Sequence, residues 1–420
     1  MSKVWPLKEL GCRISELPKS TVPAGAAEEG GAYPFYCSSP NARQIGFAIS
    51  ETPSILMGTG GVANVHLGLG AHSYSTDTWA FTVTDNETNI EFLFHQLEHK
   101  LPKIDYAGFE GSGLRHLQKK YIRELKLPLA PLQEQSYIVK ILQALDTTIQ
   151  QTEAIIAKLE SVKLGLLHDL LTRGIDVSGH LRPPQSEAPH LYKESLLGWI
   201  PKEWKVAQIE QILARDEPAM RSGPFGSALL KHELVESGVP LLGIDNVHTE
   251  LFASDFKRHV TLEKFRELSR YAVRPSDLMI TIMGTVGRCC LVPEDIGLAL
   301  SSKHVWTISL DQEKYSPYLA MLQVNYSPWV AEQISKDQQG GTMMAIRSET
   351  LRNLVLPVPP LSEQKNIEMK LRGISKRILH ETATQTKAQL QKSGLMDDLL
   401  TGRLRVTPLL QQEVKSCTGQ

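Results

Sequence analysis

Two stretches of the chain concentrate lysine and arginine, the side chains that contact phosphates and guanine edges in nucleic acids. The first stretch, 257–274, holds six basic residues against two acidic ones: Lys257, Arg258, Lys264, Arg266, Arg270 and Arg274. The second, 115–126, holds five against one, and its candidates are Arg115, Lys119 and Lys120. We expect guanine contacts from Arg258, Arg270 or Arg274 and phosphate contacts from Lys257, Lys264, Lys119 and Lys120. The competing interpretation is a solvated helix face, because the whole chain has a net charge of −1.

Motifs that would carry catalysis or bind a cofactor are missing from the sequence. It contains no Gly-x-x-x-x-Gly-Lys-Ser/Thr string for a nucleoside triphosphate, and no Asn/Asp-Pro-Pro-Tyr/Phe string of the kind found in amino-methyltransferases. The glycine cluster at 57–61 has a counterpart at 283–287, which favours a structural turn over a cofactor loop. Weaker patterns are better explained by chance or packing: His95 with His99, Asp105 with Glu124 and Lys126, and Cys289 with Cys290. We predict no catalytic residue, no metal site and no cofactor bound by this chain.

The composition is that of a globular protein with room for two or three domains in its 420 residues. Apolar residues make up 41% and charged residues 22%, and no uncharged apolar run is long enough to span a membrane. The first residues lack the apolar core of a signal peptide. The five cysteines are scattered without a CxxC pair, which is typical of a reducing cytoplasm. We therefore expect a cytoplasmic protein with no membrane partner.

An internal repeat organises the chain. Leu125–Thr172 aligns with Leu354–Thr401 without a gap, and 19 of the 48 aligned positions are identical. About three identities would be expected by chance. The segments that precede these copies resemble each other poorly, and the second carries extra residues. Similar scaffolds that carry dissimilar globular parts would suit two different ligands.

Each copy of the repeat predicts a long helix with a heptad seam. About 40 residues at roughly 1.5 Å per residue give a helix on the order of 60 Å long. The apolar stripe must be buried, and the simplest partner is the other copy in an antiparallel coiled coil. Another subunit, or the core of one compact domain, remains an alternative. The seam positions are Ile138, Leu142, Leu145, Ile149, Ile156, Leu159, Leu166 and Leu170 in the first copy, and Ile367, Leu371, Ile374, Ile378, Leu395 and Leu399 in the second.

The fold class expected is α/β (α+β): two globular domains joined by two long antiparallel coiled-coil helices, with an internal pseudo-twofold repeat. The segments follow from the repeat and from a Pro/Gly/Ser-rich joint after Thr172. They are a first globular domain (1–124), a first long helix (125–175), a linker (176–194), a second globular domain (195–353), a second long helix (354–405) and a flexible tail (406–420).

The chain resembles the specificity subunits of type I restriction–modification systems over nearly its full length. Two features carry the resemblance: Pro-Leu-x-Glu-Gln before each long helix, and Asp-Leu-Leu-Thr at each helix end. Gly198-Trp199-Ile200-Pro201 and Ser222-Gly223-Pro224-Phe225-Gly226 resemble parts of a recognition domain of that family, and Tyr33-Pro34-Phe35-Tyr36 resembles a variant seen in first domains.

The resemblance implies two target-recognition domains, each reading one half of a split, asymmetric site in double-stranded DNA. It also implies partners. Two modification subunits methylate adenine with S-adenosylmethionine, and restriction subunits use ATP and Mg. The chain itself would be non-catalytic. Two other hypotheses stay open from the residues alone: a coiled-coil adaptor that assembles partners without reading DNA, and a stand-alone nuclease or methylase.

Overall fold

A computed structural model describes residues 5–216, 218–338 and 346–411. The chain divides into two compact units, one formed by residues 1–156 with 380–420 and the other by residues 157–379. Each unit holds one globular domain together with part of each long helix. The repeat also extends upstream, where Gly111-Ser112-Gly113-Leu114 matches residues 340–343, but residues 340–343 lie outside the described part of the chain.

The first globular domain is built on a four-stranded antiparallel sheet, in the order β2-β8-β5-β6, and a three-stranded sheet, in the order β4-β3-β7. In the second of these, β3 and β7 run parallel. Two short pairs, β1 with β11 and β9 with β10, complete the domain. The strands are Leu7–Glu9 (β1), Ile14–Glu16 (β2), Tyr33–Tyr36 (β3), Arg43–Ile45 (β4), Ser54–Gly58 (β5), Val65–Gly68 (β6), Ser73–Tyr74 (β7), Thr78–Val83 (β8), Phe109–Glu110 (β9), His116–Leu117 (β10) and Lys126–Pro128 (β11).

Three helices belong to this domain, and a fourth leaves it. They are Ile90–His99 (α1), Leu101–Ala107 (α2), Lys119–Arg123 (α3) and the long helix Leu132–Thr172 (α4). Helix α1 begins at Asn89, whose side chain accepts the N–H groups of Glu91 and Phe92. Its apolar face packs on the sheet, where Ile55 and Met57 meet Leu93 and Leu97. Every residue of β5 is buried because Leu56 packs on the opposite face.

The second globular domain is formed by residues of the other unit. Its strands are Tyr192–Ser195 (β12), Gly198–Pro201 (β13), Lys205–Gln208 (β14), Met220–Ser222 (β15), Val239–Leu242 (β16), His259–Val260 (β17), Leu278–Thr281 (β18), Cys289–Leu291 (β19), Leu300–Ser301 (β20), Val305–Ile308 (β21) and Val355–Val358 (β22). Its helices are Leu262–Glu267 (α5), Pro317–Tyr326 (α6), Pro328–Gln338 (α7), Ser348–Asn353 (α8) and the long helix Leu361–Leu399 (α9). The sheet orders are β15-β21-β18-β19 and β17-β16-β20.

The two larger sheets of the two globular domains share one topology. The order β2-β8-β5-β6 has its counterpart in β15-β21-β18-β19, and β4-β3-β7 in β17-β16-β20, with the parallel pair in the same place. The pairs β1–β11 and β14–β22 also correspond. The duplication therefore includes the globular parts, although their sequences have diverged. The predicted fold class, α+β with an internal repeat, is confirmed.

The two glycine clusters lie in equivalent turns, between β5 and β6 and between β18 and β19. Gly61 has a φ of 81° and Gly287 a φ of 87°, a conformation that favours glycine. The prediction of a structural turn in each domain is confirmed.

The two long helices start later than predicted. Residues 125–131 and 354–360, assigned to the helices from the repeat, instead carry β11 and β22, and the helices begin directly after Pro131 and Pro360. The reason is local. Prolines at 128, 131, 357, 359 and 360 disfavour a helix there, and the extended segments pair with β1 and β14.

The helices pack antiparallel within each unit. In the first unit, Ile138 and Leu142 near the start of α4 share a core with Met396 and Leu399 near the end of α9. In the second, Leu170 near the end of α4 shares a core with Ile367 and Leu371 near the start of α9. Six of the fourteen predicted seam residues are buried, namely Ile138, Leu142, Leu170, Ile367, Leu371 and Leu399. The other eight are half-buried, namely Leu145, Ile149, Ile156, Leu159, Leu166, Ile374, Ile378 and Leu395.

The predicted linker and tail contain more structure than their composition indicated. Within the linker 176–194, Arg182 is buried and Tyr192 begins a strand that pairs with β13. In the tail, Val406 is buried in the same core as Trp5 and Met396, so this residue is not part of a flexible tail. Residues 412–420 lie outside the described part of the chain.

The glutamate of each Pro-Leu-x-Glu-Gln motif forms a buried ion pair at the start of a long helix. Glu363 accepts two hydrogen bonds from the guanidinium of Arg182, at 2.6 and 3.0 Å, and one from the backbone N–H of Ile175. Glu134 accepts hydrogen bonds from Arg405 in the same way, with Nε at 2.8 Å. Each arginine belongs to the segment that follows the other long helix. The motif therefore connects the first turn of one long helix to the segment that follows the other long helix.

The glutamine of the motif holds the globular domain to the helix. Gln135 Nε2 donates to the carbonyls of Ala130 and Glu87, and its Oε1 accepts the N–H of Asn89 at 2.7 Å. Gln364 repeats this pattern, with donation to Pro359 and Lys314 and acceptance from Ser316 N–H at 2.8 Å. Asn89 and Ser316 are the N-caps of α1 and α6. One amide thus locks the orientation of the helix that supports each sheet.

The ends of the long helices are also equivalent. Each helix is followed by a glycine with positive φ, Gly174 at 61° and Gly402 at 74°. A side chain at Gly174 would overlap Trp204, and one at Gly402 would overlap Trp5. Continued beyond Thr172 and Thr401, the ungapped alignment would pair Arg173 with Gly402, whereas the equivalent glycine is Gly174. The first copy therefore has one extra residue after its helix.

Replacing Glu363 with alanine leaves Arg182 buried without its main partner. We expect the free energy of unfolding to fall by about 3–5 kcal/mol, since an uncompensated buried charge is left behind. The matched control is Glu203→Ala, because Glu203 is exposed and lies 3.5 Å from the same arginine. That change should cost less than about 1 kcal/mol. Urea denaturation of the three proteins measures both values, and equal midpoints would contradict the assigned role.

Candidate nucleic-acid interface

The basic stretch 257–274 is distributed over several short elements. Lys257 and Arg258 precede β17, Lys264 and Arg266 lie on α5, and Arg270 and Arg274 follow it. Lys257, Arg266 and Arg270 are exposed, whereas Arg258, Lys264 and Arg274 are half-buried. Arg270 lies over the ring of Tyr271 at 5.0 Å. The stretch is therefore not one solvated helix face, and its members differ in their surroundings.

Four of these six cations lie within ion-pair distance of carboxylates of their own domain, namely Lys257, Arg258, Lys264 and Arg274. Lys264 lies 2.8 Å from Glu233 and 3.1 Å from Glu267, and hydrogen bonds to these two glutamates raise its pKa. Lys257 lies 3.5 Å from Asp255 in an exposed pair, which water screens. Lys264 is thus a weaker candidate for a phosphate contact than its position in the sequence indicated.

Arg274 adjoins a buried ion pair that stabilises the second globular domain. Arg221 bonds to Asp277, to Ser309 and to the carbonyl of Ala272. The backbone N–H of Arg274 donates to Asp277 at 2.7 Å. Burial raises the pKa of Asp277 although the arginine opposes this shift. The backbone of Arg274 is therefore part of a structural network. Its guanidinium lies 3.9 Å from Asp216, and the base contact of this side chain stays a prediction.

In the first globular domain, Arg115 has a structural partner as well. Its guanidinium reaches both oxygens of Asp105 at 2.9 and 3.0 Å and the carbonyl of the same residue. Asp105 also accepts the N–H of Ala63 at 2.8 Å, and hydrogen bonds from Ala63 and Arg115 lower its pKa. This ion pair connects the loop between β5 and β6, which contains Ala63, to helix α2, which contains Asp105.

One lysine and one arginine of the same stretch lie beside an aromatic side chain. Lys119 lies 5.3 Å and Arg123 lies 5.7 Å from the ring centre of Trp79, and both pair with Glu16. Lys120 is exposed and lies 3.9 Å from Glu124. Among Arg115, Lys119 and Lys120, Lys120 is the most exposed and has the longest distance to a carboxylate.

A basic cleft in the second globular domain brings together residues that are far apart in the sequence. It has a volume of about 180 Å³. Its charged or ionisable lining residues are Lys231, Arg258, Lys303 and His304, and the lining described by the structure includes no carboxylate. Apolar side chains such as Leu229 and Leu241 form its floor. We name this feature the basic cleft.

Electrostatics within the basic cleft favour an anionic ligand. Arg258 bonds to Asp245 through Nη2 alone among the described residues. Burial together with the charges of Lys303 and Arg258 lowers the pKa of His304, and its Nδ1 lies 3.3 Å from the sulfur of Met283. A phosphate would relieve this repulsion between neighbouring cations. Of the four residues, sequence reasoning found Arg258. The signal it missed was Lys303-His304 in a short connection between two strands.

The patterns that imitate catalytic or metal sites are accounted for by packing and ion pairing. His95 is buried beside Glu98, and His99 contacts Asp397 at 2.6 Å. Glu124 pairs with Lys120, and Lys126 lies 3.9 Å from Glu9. Burial raises the pKa of Cys290 to about 12, which makes it a poor nucleophile. Over the described residues, no cluster of three metal-binding side chains occurs and no helix is apolar enough to cross a membrane.

A duplicated α+β domain joined to two long helices is the architecture of the described residues. Comparison with known families identifies the class of protein. The model of the type I restriction modification DNA specificity domain matches residues 12–161 and 201–392, and therefore matches both halves. The chain belongs to this family.

Individual relatives agree with the family. The chain is similar to the type I restriction enzyme MjaVIII specificity subunit of Methanocaldococcus jannaschii, with 27% identity over 76% of this chain and 71% of the relative. Its fold is similar to that of the type I restriction-modification system S subunit from M. genitalium, with a TM-score of 0.62 and 13% identity over 95% and 97% of the two chains. A chain from a structure concerning complex assembly and conformational transition of the type I R-M system gives a TM-score of 0.53, with 15% identity over 96% and 99% of the two chains.

Removing the exposed lysine Lys231 of the basic cleft should weaken DNA binding in a salt-dependent way. For Lys231→Ala, we expect the slope of log affinity against log salt to become shallower by about one, the value for one lost phosphate contact. The matched control is Lys264→Ala, which removes a cation already paired with Glu233 and Glu267. Its slope should equal that of the unaltered protein. Fluorescence anisotropy over a salt series measures the slopes, and identical slopes for all three proteins would refute the assignment of the cleft.

Proposed function

We propose that this chain is the sequence-specificity subunit of a type I restriction–modification complex, in which each globular domain reads one half of a bipartite, asymmetric DNA site. The observation that carries the proposal is the repeated strand order of two domains whose exposed residues differ. Equivalent scaffolds present different chemistry, so two different half-sites are expected. The chain contributes recognition and does not itself methylate, hydrolyse ATP or cut DNA.

The partners that we propose are two modification subunits, which methylate adenine with S-adenosylmethionine, and restriction subunits, which use ATP and Mg. Two modification subunits fit the duplication, since each unit repeats the same helix-to-domain joint around Glu134 and Glu363. A similar chain comes from a structure concerning complex assembly of the type I R-M system, which supports a role in assembly. The cofactors S-adenosylmethionine, ATP and Mg would bind to those partners.

The alternative function is a coiled-coil adaptor that assembles partners without reading DNA. Membership of a DNA specificity family favours the reading function. The basic cleft also favours it, because an adaptor has no need of a cleft lined by Lys231, Arg258 and Lys303. We therefore treat assembly as a second task of the same subunit.

Mapping methylated adenines on random-sequence DNA, with the modification subunits present, tests the proposal. We expect one bipartite motif with two unlike halves separated by a spacer of fixed length. Omitting this chain should abolish site-specific methylation. A motif with identical halves, or methylation without sequence preference, would contradict the assignment of one half-site to each domain.

The long helices give a second test, because their length should set the spacer. Inserting one heptad into the middle of both helices preserves the seam and adds about 10 Å, at roughly 1.5 Å per residue. At about 3.4 Å per base pair, the preferred spacer should lengthen by about three base pairs. The control is the same seven residues inserted after Pro184 in the joint between the halves. Methylation mapping reads both variants, and an unchanged spacer in the helix variant would reject the ruler mechanism.

A further inference from the structure

Strand pairing places two dipeptides of unlike chemistry at the same point of the two globular domains. In the first domain, Tyr36 pairs with Tyr74 in a parallel ladder, and Ser75 N–H donates to the Tyr36 carbonyl at 2.9 Å. In the second, Leu242 pairs with Ser301, and Ser302 N–H donates to the Leu242 carbonyl at 2.8 Å. The next two residues are therefore equivalent. They are Thr76-Asp77 in one domain and Lys303-His304 in the other.

The equivalent residues also have matching exposure. Ser75 and Ser302 are buried, Thr76 and Lys303 are exposed, and Asp77 and His304 are half-buried. Each dipeptide connects the short parallel strand to the central strand of the larger sheet, β8 or β21. The backbone is thus held in the same way, while the side chains change from a hydroxyl and a carboxylate to an ammonium group and an imidazole. We name these two dipeptides the variable pairs.

A nearby arginine is the same in both domains. Arg43 lies opposite Phe35 on the neighbouring strand, and Arg258 precedes β17 and accepts, through its carbonyl, the N–H of the equivalent Leu241. Arginine at a constant position suits the phosphate backbone, which is the same in every sequence. Side chains that differ at equivalent positions of the two domains are suited to contact the bases, because the bases differ between the two half-sites.

We propose that the variable pairs discriminate the bases of the two half-sites, a role that rests on the proposed DNA-reading function. Lys303 carries donors that match O6 and N7 of guanine, and His304 lies beside it in the basic cleft. Asp77 carries acceptors that match the amino group of cytosine. Its Oδ1 accepts from Ser75, and its Oδ2 makes no hydrogen bond among the described residues. The second half-site therefore contains a guanine read by Lys303, and the first contains a cytosine read by Asp77.

Exchanging the pairs between the domains tests this assignment in the full chain with its modification subunits. The second domain receives Lys303→Thr with His304→Asp, and in a separate variant the first receives Thr76→Lys with Asp77→His. Each replacement already occurs on the equivalent backbone, so the fold should tolerate it. The matched control is Lys193→Thr with His190→Asp, which makes the same changes at exposed positions of the second unit outside the basic cleft.

Methylation on random-sequence DNA is the readout. We expect the Lys303→Thr, His304→Asp variant to lose at least about tenfold of its preference for the guanine in the second half-site, with the first half-site and spacer unchanged. The reciprocal variant should alter the first half-site alone. The control should keep the unaltered motif.

Two outcomes would overturn the proposal. One is an unchanged motif in both exchange variants. The other is an equal loss of affinity for every sequence in competition binding, which would leave the pairs with a phosphate role only. Failure of the proposed function would give a different result in the same methylation assay, because the unaltered subunit and the control would then direct no site-specific methylation. Thermal melting of each variant against the control, with Lys303→Ala as a milder change, separates recognition from folding.

Discussion

The structure depends on one repeated constraint, the buried Glu-Gln pair at the start of each long helix. Glu134 and Glu363 are 4% and 7% exposed, and each is neutralised by an arginine from beyond the end of the other helix. A carboxylate this deeply buried is tolerated only when it is paired, so the arrangement specifies which chain segments meet. The adjacent glutamine fixes the N-cap of the supporting helix α1 or α6. The orientation of each globular domain is therefore set at the start of a long helix by these hydrogen bonds together with apolar packing. In the first unit, Phe92 of α1 shares a core with Ile138 and Leu142 of α4.

This coupling explains how one scaffold could serve two different half-sites. The joint, the sheet order and the supporting helix are repeated, whereas the short connections between strands are free to change. Thr76-Asp77 and Lys303-His304 differ in charge, yet the serine before each is held by the same backbone hydrogen bond. At exposed positions such as Thr76 and Lys303, packing constrains the side chain least. Recognition could thus change without disturbing the core around Ile55 or Ile280, which every strand of the larger sheets supports.

Sequence reasoning recovered the periodic features and missed those that depend on distant contacts. The long helices, their seam and the glycine turns are local or repeated patterns, and a single chain displays them directly. The helix starts were placed seven residues early because identity between the copies extends into β11 and β22, and identity does not distinguish strand from helix. The shared topology of the globular domains was invisible because strand pairing survives almost complete replacement of the side chains. The basic cleft was missed for a similar reason, since Lys231, Arg258 and Lys303 meet only after folding.

The net charge of −1 is unusual for a DNA-binding protein, because such proteins usually carry an excess of lysine and arginine. The structure shows where the acidic residues are used. Glu134, Glu363, Asp277 and Asp105 each neutralise an arginine that has a structural task, and Glu233 does the same for Lys264. The cations in those pairs have structural partners, so they are weaker candidates for contacts to DNA. Lys231 and Lys303 remain, and they line the basic cleft, whose described lining includes no carboxylate. Local potential, which steers and holds a polyanion over about one Debye length, then matters more than the total.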